Sequence, residues 1–268
     1  MMLNFKTVLQ RKGGQFCSAS ITKALAQLTL LDLKSYVSEE AAQRCMADCN
    51  TAISEHAFSL HDALHSSGPN CWKGKFDGRV GCSTLYETDD IALCWFVVPP
   101  GGVLPLHDHC TMVVWQRILF GRIHITSLDW AQGFEPVDTQ LCNRRGGEAI
   151  VVFSGTSEAR SNASSPASLV TSFGPHEGGV LHEIENESTE PALFVNVMTP
   201  PYNKPPNNIE CMYYSLSRLD GGRATPLESQ SDAACRERLT VGQRVLLTPR
   251  PTVGKMPMNV FIPIQSPW

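Results

Sequence analysis

His107 and His109 are the residues of this sequence whose type and spacing most directly suggest chemistry. They end the segment Gly101–His109, which follows an apolar run beginning at Ile91. In an extended strand, residues i and i+2 project to the same side, so both imidazoles can face one cavity and share a cation. Because histidines two residues apart also occur by chance on protein surfaces, the pair needs support from residues elsewhere in the chain.

The wider spacing resembles the two motifs of the cupin family, G-x5-H-x-H-x3,4-E-x6-G and G-x5-P-x-G-x2-H-x3-N. Val114 stands where the first motif has its glutamate, while Thr171 and Glu177 replace the opening glycine and the proline of the second. The resemblance therefore implies a cupin site without the usual carboxylate ligand. The residues at matching positions are Gly101, His107, His109 and Gly121 for the first motif, and Gly179, His182 and Asn186 for the second.

The missing carboxylate changes the chemistry that such a site favours. Three neutral imidazoles would leave a bound Fe(II) with its full dipositive charge and with open coordination positions on one face. A thiolate suits the next position because it neutralises one charge and donates electron density that eases O₂ binding and reduction. Ligation also lowers the pKa of a thiol, so deprotonation at neutral pH is feasible.

Three segments resemble a narrower family, that of the plant cysteine oxidases and 2-aminoethanethiol (cysteamine) dioxygenase. Leu104–Trp130 contains the P-L-H-D-H, L-F-G and D-W patterns of that family. Val195–Tyr202 contains its P-P-Y pattern, and Cys211–Tyr214 contains its C-x-Y-Y pattern. The resemblance extends over about Ala92–Ser217 and fades towards both ends of the sequence.

The resemblance implies a non-haem Fe(II) thiol dioxygenase with His107, His109 and His182 as the iron ligands. O₂ would be the co-substrate, and both of its atoms would be inserted into the sulfur of cysteamine or of the N-terminal cysteine of a peptide, giving a sulfinic acid. The resemblance also places Tyr202 on the substrate and O₂ side of the pocket. A small thiol or a cysteine-headed peptide is thus the expected partner.

Three further residues enter the site by resemblance. Cys211 and Tyr213 match the pair that can form a thioether cross-link in the animal cysteamine enzyme, and whether it forms here stays open. Asn196 stands where plant members have an aspartate that is thought to position or deprotonate the substrate. An amide can accept a hydrogen bond from an ammonium group, but it supplies no counter-charge and takes no proton. The choice between cysteamine and an N-terminal cysteine therefore stays open.

Two other classes of function remain compatible with these residues. One is a Zn, Mn or Ni cupin acting as an isomerase or hydrolase, in which the cation serves as a Lewis acid. The other is a cupin binding module without chemistry, suggested by Val114 and Asn196. Among the other histidines, His176 fits the spacing less well than His182, and His124 is expected to be structural. Asp129 is expected to anchor a turn.

The elements that must position these residues are predicted to be mainly β-strands, which the resemblance identifies as a cupin (double-stranded β-helix or jelly-roll) sandwich. Short apolar or alternating runs separated by Gly and Pro begin after Tyr86. Residues 1–69 are expected to form an N-terminal helical segment, from the helical spacing in Ser18–Ser66, that packs on a cupin domain of residues 70–268. Ser154–Ser168 is expected to be a surface insertion. The predicted strands are Ile91–Val98, Met112–Leu119, Arg122–Leu128, Glu148–Phe153, Leu169–Phe173, Gly179–Ile184, Leu193–Met198, Met212–Ser217, Arg244–Leu247 and Asn259–Ile264.

The composition indicates a globular protein and excludes some partners. Of its 268 residues, 42% are hydrophobic, and the formal charge of -4 arises from 22 basic and 26 acidic side chains without blocks. No nucleic-acid or membrane partner is expected, since no basic face is evident and no apolar run approaches the about 20 residues that cross a bilayer.

Two observations bear on the compartment. The ten cysteines fall at irregular intervals, which suits a reducing environment. Cys45, Cys49, His61 and His65 come near to zinc-finger spacing, but in apparently helical sequence without the usual turn. We expect a cytoplasmic monomer. A mitochondrial location stays open because no acidic residue precedes Asp32.

Overall fold

The computed structural model describes residues 11–12, 15–16, 18–27, 80–87, 89–131, 146–159, 170–175, 178–204, 209–220, 223–226, 238–250 and 258–260. The elements in chain order are β1 (Arg11–Lys12), β2 (Gln15–Phe16), α1 (Ser18–Gln27), β3 (Val80–Glu87), β4 (Ala92–Val98), β5 (Val103–Asp108), β6 (Val113–Phe120), β7 (Arg122–Trp130), β8 (Gly147–Glu158), β9 (Thr171–Phe173), β10 (Leu181–Glu185), β11 (Ala192–Thr199), β12 (Tyr214–Asp220), β13 (Arg223–Pro226), β14 (Arg244–Pro249) and β15 (Met258–Val260).

Two large sheets make up the fold. The seven-stranded sheet has the order β13-β12-β14-β8-β7-β10-β5, and the six-stranded sheet has the order β15-β3-β4-β11-β6-β9. Neighbouring strands are antiparallel throughout, apart from β15, which runs parallel to β3. The predicted mainly β architecture is therefore confirmed.

Apolar side chains from both sheets meet between them. One core cluster combines Phe194 and Val98 of the six-stranded sheet with Ile125 and Ile184 of the seven-stranded sheet. Phe96 and Phe194 stack inside it with ring centroids 4.9 Å apart. Alternation of inward apolar residues along both sets of strands produces this sandwich.

The seven-stranded sheet curves until β12 meets β5, although these strands are far apart in its order. His107 of β5 and Tyr213, just before β12, form an isolated antiparallel bridge. A second core cluster fills the curve, and within it the rings of Trp130 and Tyr214 lie 5.7 Å apart, edge to face. This closure brings the segment preceding β12 beside the H-x-H pair.

The N-terminal helix α1 packs on β6. Ile21 and Leu25, four residues apart on one helical face, are fully buried. Arg117 of β6 donates a hydrogen bond to the carbonyl of Leu25. Helix α1 lies within the predicted helical segment, and residues 28–69 of that segment lie outside the described residues. No helix in the described ranges is long and apolar enough to cross a membrane.

Each predicted strand overlaps an observed one, but three local predictions were wrong. The β region begins at Val80, before the predicted start after Tyr86. β5 is a separate strand, whereas the predicted strands leave out residues 103–108. β8 runs to Glu158, so residues 154–158 belong to the sheet and not to a surface insertion. Backbone pairing with β7 holds this polar end of β8, and such pairing needs no buried side chains.

Candidate metal centre

Three buried histidines meet in the sandwich. His107 lies on β5, His109 directly follows that strand, and His182 lies on β10. The Nε2 atom of His182 is 3.1 Å from Nε2 of His109 and 3.2 Å from Nε2 of His107. Two ligands about 2.1 Å from one metal ion are separated by roughly 3 Å when they occupy neighbouring positions. These three residues form a three-histidine metal-binding site.

Strand pairing sets the positions of the three rings. His107 and His182 are directly opposite each other in the antiparallel pair of β5 and β10. The backbone N–H of His109 donates to the carbonyl of Val180 at 2.7 Å, which fixes the end of β5 against the entry to β10. Cys110 then takes a positive φ of 43°, and the chain turns away after the second ligand.

Hydrogen bonds at the Nδ1 atoms leave two Nε2 atoms free of protons. Nδ1 of His107 donates to the carbonyl of Pro105 at 2.8 Å. The hydroxyl of Tyr202 donates to the carbonyl of Asp108 and therefore accepts from Nδ1 of His109, 2.9 Å away. A histidine that carries its proton on Nδ1 presents the Nε2 lone pair to a metal. The donor set thus fits a cation.

Burial keeps the three imidazoles neutral. It lowers the pKa of His107 to about 4. The pKa values of His109 and His182 are lowered well below the usual value, first by burial and then by repulsion from the neighbouring imidazoles. Protons therefore compete little with a metal ion at neutral pH.

Apolar residues surround the histidines where a cupin would place its carboxylate. Val114 is fully buried and pairs across β6 and β9 with Phe173. The ring of Phe173 lies 5.3 Å from that of His109 and 4.7 Å from that of His182. Val114 supplies no ligand atom, so the described site offers three neutral nitrogen donors.

Asp108, between the two histidines of the H-x-H pair, is a structural link that sequence reasoning missed. Its carboxylate accepts hydrogen bonds from the backbone N–H of Met212 at 3.1 Å and from the hydroxyl of Tyr214 at 3.0 Å. Burial raises the pKa of Asp108 to about 7. Alternation along β5 could have indicated that Asp108 faces away from the histidines, but its partners lie 104 and 106 residues further on.

That link places Cys211 and Tyr213 beside the histidines. The ring of Tyr213 lies 5.9 Å from that of His107, and the ring of Tyr202 lies 5.7 Å from that of His109. The Cys211 thiol lies close to the hydroxyls of both tyrosines, and burial raises its pKa to about 12. The structure thus brings together Tyr202, Cys211 and Tyr213, which the sequence related by resemblance alone.

Asn196 lies in the same interior, on β11 of the six-stranded sheet. Its cross-strand neighbours are Cys94 on β4 and Gln116 on β6. It is 2% exposed, and its Oδ1 has no hydrogen-bond partner in the described part of the chain. An acceptor is thus available inside the sandwich.

Asp129 anchors the turn that leads to His182, as the sequence predicted. Its Oδ1 accepts hydrogen bonds from the backbone N–H groups of Gly179 at 2.6 Å and Val180 at 3.2 Å. Gly178 has φ +87°, and a Cβ there would lie 3.0 Å from the other carboxylate oxygen, so the position suits glycine.

The remaining sequence candidates are one described histidine outside this site and several residues that the structure does not describe. His124 lies on β7 with its Nε2 3.3 Å from the hydroxyl of Ser154, and it is not a member of the three-histidine group. His176, the alternative third ligand, lies outside the described residues. The same holds for Cys45, Cys49, His61 and His65.

Sequence comparison now places the chain among known proteins. A family model described as PCO_ADO matches residues 25–256. The chain belongs to the PCO_ADO family. The resemblance seen in the sequence is thereby confirmed, and this PCO_ADO member departs from the cupin ligand pattern at Val114.

Named relatives match about half of the PCO_ADO chain. Plant cysteine oxidase 1 of Arabidopsis thaliana is 31% identical over 136 residues, which cover 51% of this chain and 41% of that protein. The 2-aminoethanethiol dioxygenase of Mus musculus is 30% identical over 147 residues, covering 49% and 52%. The human 2-aminoethanethiol dioxygenase is 30% identical over 146 residues, covering 49% and 50%. The chain thus spans about half the length of these curated relatives.

Solved structures give more distant matches. A cupin domain from Bordetella pertussis Tohama I is 16% identical, with a TM-score of 0.28, and covers 45% of this chain and 93% of that domain. Oxalate oxidase is 13% identical, with a TM-score of 0.30, and covers 45% of this chain and 51% of the other. Family membership rests on the sequence match.

Proposed function

We propose that this chain is a non-haem Fe(II) thiol dioxygenase that inserts both atoms of O₂ into the sulfur of cysteamine or of an N-terminal cysteine, giving a sulfinic acid. The observation that carries the proposal is the set of three neutral imidazoles with Val114 in place of a carboxylate. Such a set leaves the cation its full charge and favours an anionic sulfur ligand. Relatives with the names cysteine oxidase and 2-aminoethanethiol dioxygenase support the same chemistry.

His107, His109 and His182 would hold the iron. Bound there, iron supplies the common site at which a thiolate and O₂ meet and exchange electrons. The apolar walls formed by buried Val114 and partly buried Phe173 limit the access of water to the sulfur.

Tyr202 acts through His109 in this proposal. Its hydroxyl fixes the proton of His109 on Nδ1 and orients the ring through the carbonyl of Asp108. Since Tyr202 already donates its proton to that carbonyl, it serves first as a positioning residue. Burial holds its pKa well above the usual value, so the phenol stays protonated.

Asn196 accepts a hydrogen bond from the substrate amine in this proposal. Its Oδ1 is buried and has no hydrogen-bond partner in the described residues, and an amide oxygen accepts hydrogen bonds from N–H groups. Asn196 takes no proton, so it orients the substrate and does not act as its base.

Cys211 and Tyr213 are proposed as a thioether pair that stiffens the pocket. Their side chains interact next to His107. Joining the sulfur to the tyrosine ring removes one S–H and one C–H hydrogen, and O₂ accepts the two electrons and two protons. The cross-link therefore depends on oxygen.

Oxygen uptake with mass spectrometry of the products tests the function. The Fe(II)-loaded protein is supplied with cysteamine, cysteine and a peptide beginning with cysteine, and a gain of two oxygen atoms from ¹⁸O₂ is expected on at least one thiol. His182→Ala should abolish uptake.

Metal analysis after anaerobic purification tests the alternatives. Full zinc occupancy with no thiol-dependent oxygen uptake would contradict the proposal and favour a Lewis-acid cupin. Iron loading without oxidation of any thiol would indicate a binding module.

A further inference from the structure

Gln116 and Asn196 form a buried polar pair inside the sandwich. They lie directly opposite each other on β6 and β11, and each is 2% exposed. In the part of the chain that the structure describes, neither Nε2 of Gln116 nor Oδ1 of Asn196 has a hydrogen-bond partner. Leaving a buried donor and a buried acceptor unpaired costs free energy, because both lose their hydrogen bonds to water. A complementary donor and acceptor, open side by side, indicate a place for a ligand.

The pair borders the cluster around the histidines. Side chains alternate along a strand, so Gln116 shares a face of β6 with Val114. Val114 packs in the same cluster as Phe173, whose ring lies 4.7 Å from that of His182. Two residues along a strand span about 7 Å, so Gln116 and Asn196 lie within one side chain's reach of this cluster.

Contacts with the seven-stranded sheet also place Asn196 at the level of the histidines. Ile184 on β10 and Phe194 on β11 pack together between the sheets. His182 lies two residues from Ile184, and Asn196 lies two residues from Phe194, each on the side that leads towards Phe173. His182 and Asn196 therefore occupy one layer of the sandwich.

We propose that Gln116 is a specificity-determining residue that selects thiols carrying an acyl oxygen next to their amine, an inference that rests on the proposed function. Asn196 Oδ1 accepts a hydrogen bond from the substrate amine, and Gln116 Nε2 donates one to the acyl oxygen. Free cysteine offers that oxygen as a carboxylate, and a cysteine-headed peptide offers it as its first carbonyl. Cysteamine has none.

The spacing of the pair suits the two groups of one amino acid. Residues directly opposite in an antiparallel pair have Cβ atoms about 5 Å apart, so Gln116 and Asn196 can converge on neighbouring atoms. The amine nitrogen and acyl oxygen of one residue are separated by roughly 3 Å. A site built to hydrogen-bond a substrate group discriminates strongly against an analogue that lacks it, because its own buried group then stays unpaired.

Oxygen-uptake kinetics with cysteamine, cysteine and a cysteine-headed peptide test this role. For the native protein, kcat/KM should be higher for at least one acyl thiol than for cysteamine. Gln116→Met keeps the side-chain length and removes the donor, so it should lower that kcat/KM about tenfold or more. The value for cysteamine should change less than about threefold. An effect confined to cysteine identifies the carboxylate, and one confined to the peptide identifies the carbonyl.

Equal losses for all three thiols, or no loss for either acyl thiol, would overturn the proposal. Thermal unfolding supplies a second measure, because methionine removes an unpaired buried donor and should leave Tm unchanged or raised. Ile118→Val is the matched control on the same face of β6. It loosens packing without touching a polar group, so it should change kcat/KM for the three thiols to the same degree.

Anaerobic thiol binding to the Co(II)-loaded protein separates this proposal from the proposed function. Thiolate-to-cobalt absorption reports affinity without oxidation. In one outcome no thiol is oxidised, but acyl thiols bind more tightly than cysteamine and Gln116→Met removes that difference in affinity. This result would contradict the dioxygenase activity and support the specificity role of Gln116. Oxidation of thiols without any dependence on Gln116 leaves the activity and refutes the role. Absence of thiol binding and oxidation overturns both.

Discussion

Single residues in this site control which nitrogen of His107 and of His109 carries the proton. The Tyr202 hydroxyl has one proton, which goes to the carbonyl of Asp108, so it meets His109 as an acceptor. Proton placement at His109 is thus decided by a residue 93 positions away.

Tyr202→Phe should weaken metal binding about 10- to 100-fold, since it leaves the Nδ1 proton of buried His109 without a partner. A competition titration with a Co(II) chelator measures the affinity. Ile118→Val is the control, because it loosens packing on β6 without removing a hydrogen bond to a histidine. Equal losses in both variants would show that general loosening explains the effect.

Val114→Glu should convert the site towards the ordinary cupin ligand set. The new carboxylate would neutralise one metal charge and take a position that a thiolate needs, so metal should be retained while thiol-dependent oxygen uptake falls at least about tenfold. Val114→Gln has the same size without the charge and should lose less activity. Unchanged uptake in Val114→Glu would contradict the importance of the missing carboxylate.

Cys94 and Cys211 should resist alkylation in the native protein, because burial raises the pKa of each to about 12 and leaves little thiolate. Iodoacetamide labelling at neutral pH, followed by peptide mass spectrometry, measures this. After denaturation Cys94 should label fully, whereas Cys211 should label only in molecules without the thioether to Tyr213. Rapid native labelling of Cys211 would contradict its raised pKa.

At the scale of secondary-structure elements, the turns between strands set the positions of the site residues. Asp129 on β7 binds two backbone N–H groups of the turn that leads into β10, so one carboxylate positions the strand that carries His182.

Asp129→Ala should lower the free energy of unfolding by about 1–3 kcal/mol and weaken metal binding, because it leaves the turn's N–H groups unpaired. Asp129→Asn keeps an oxygen acceptor and should lose less on both measures. Denaturant unfolding measures the free energy of unfolding, and metal titration measures the metal affinity. If alanine and asparagine behave alike, the acceptor is not what holds the turn.

Elements with clear apolar alternation could be predicted from sequence, and those that depend on distant partners could not. β11 could be predicted because Ala192–Thr199 is a short and almost continuously apolar run, as suits a strand that is buried along its length. β5 could not, since Gly101, Gly102 and Pro105 give it the local composition of a turn. Pairing with β10 makes it a strand, and that pairing involves residues about 75 positions away.

Candidate site residues divide in the same way. The three histidines could be predicted because motif spacing relates them directly. Asp108 and Gln116 could not, since their roles depend on Tyr214 and Asn196, which only the folded sheets bring near.

The whole molecule couples its metal site to its stability. His107 and His109 lie on or directly after β5 and His182 lies on β10, so a bound ion would link these two neighbouring strands of the seven-stranded sheet. The division at residue 70, the monomeric state and the cytoplasmic location stay predictions.

Chelation should therefore lower Tm, because metal binds the folded state and stabilises it in proportion to RT ln(1 + [metal]/Kd). Differential scanning fluorimetry with and without Co(II) measures the shift. His182→Ala should abolish it, while Ile118→Val should keep it. A shift that survives in His182→Ala would place the stabilising ion elsewhere.

The closure of β12 onto β5 also has a consequence for synthesis. The Asp108 carboxylate meets its partner hydroxyl 106 residues later in the chain, and His107 meets His182 75 residues later. Domains begin to fold as they leave the ribosome, yet this centre has to wait until Tyr214 has emerged. A protein truncated before Tyr214 would contain all three histidines but would lack the hydrogen bond between Tyr214 and Asp108 that helps to align them.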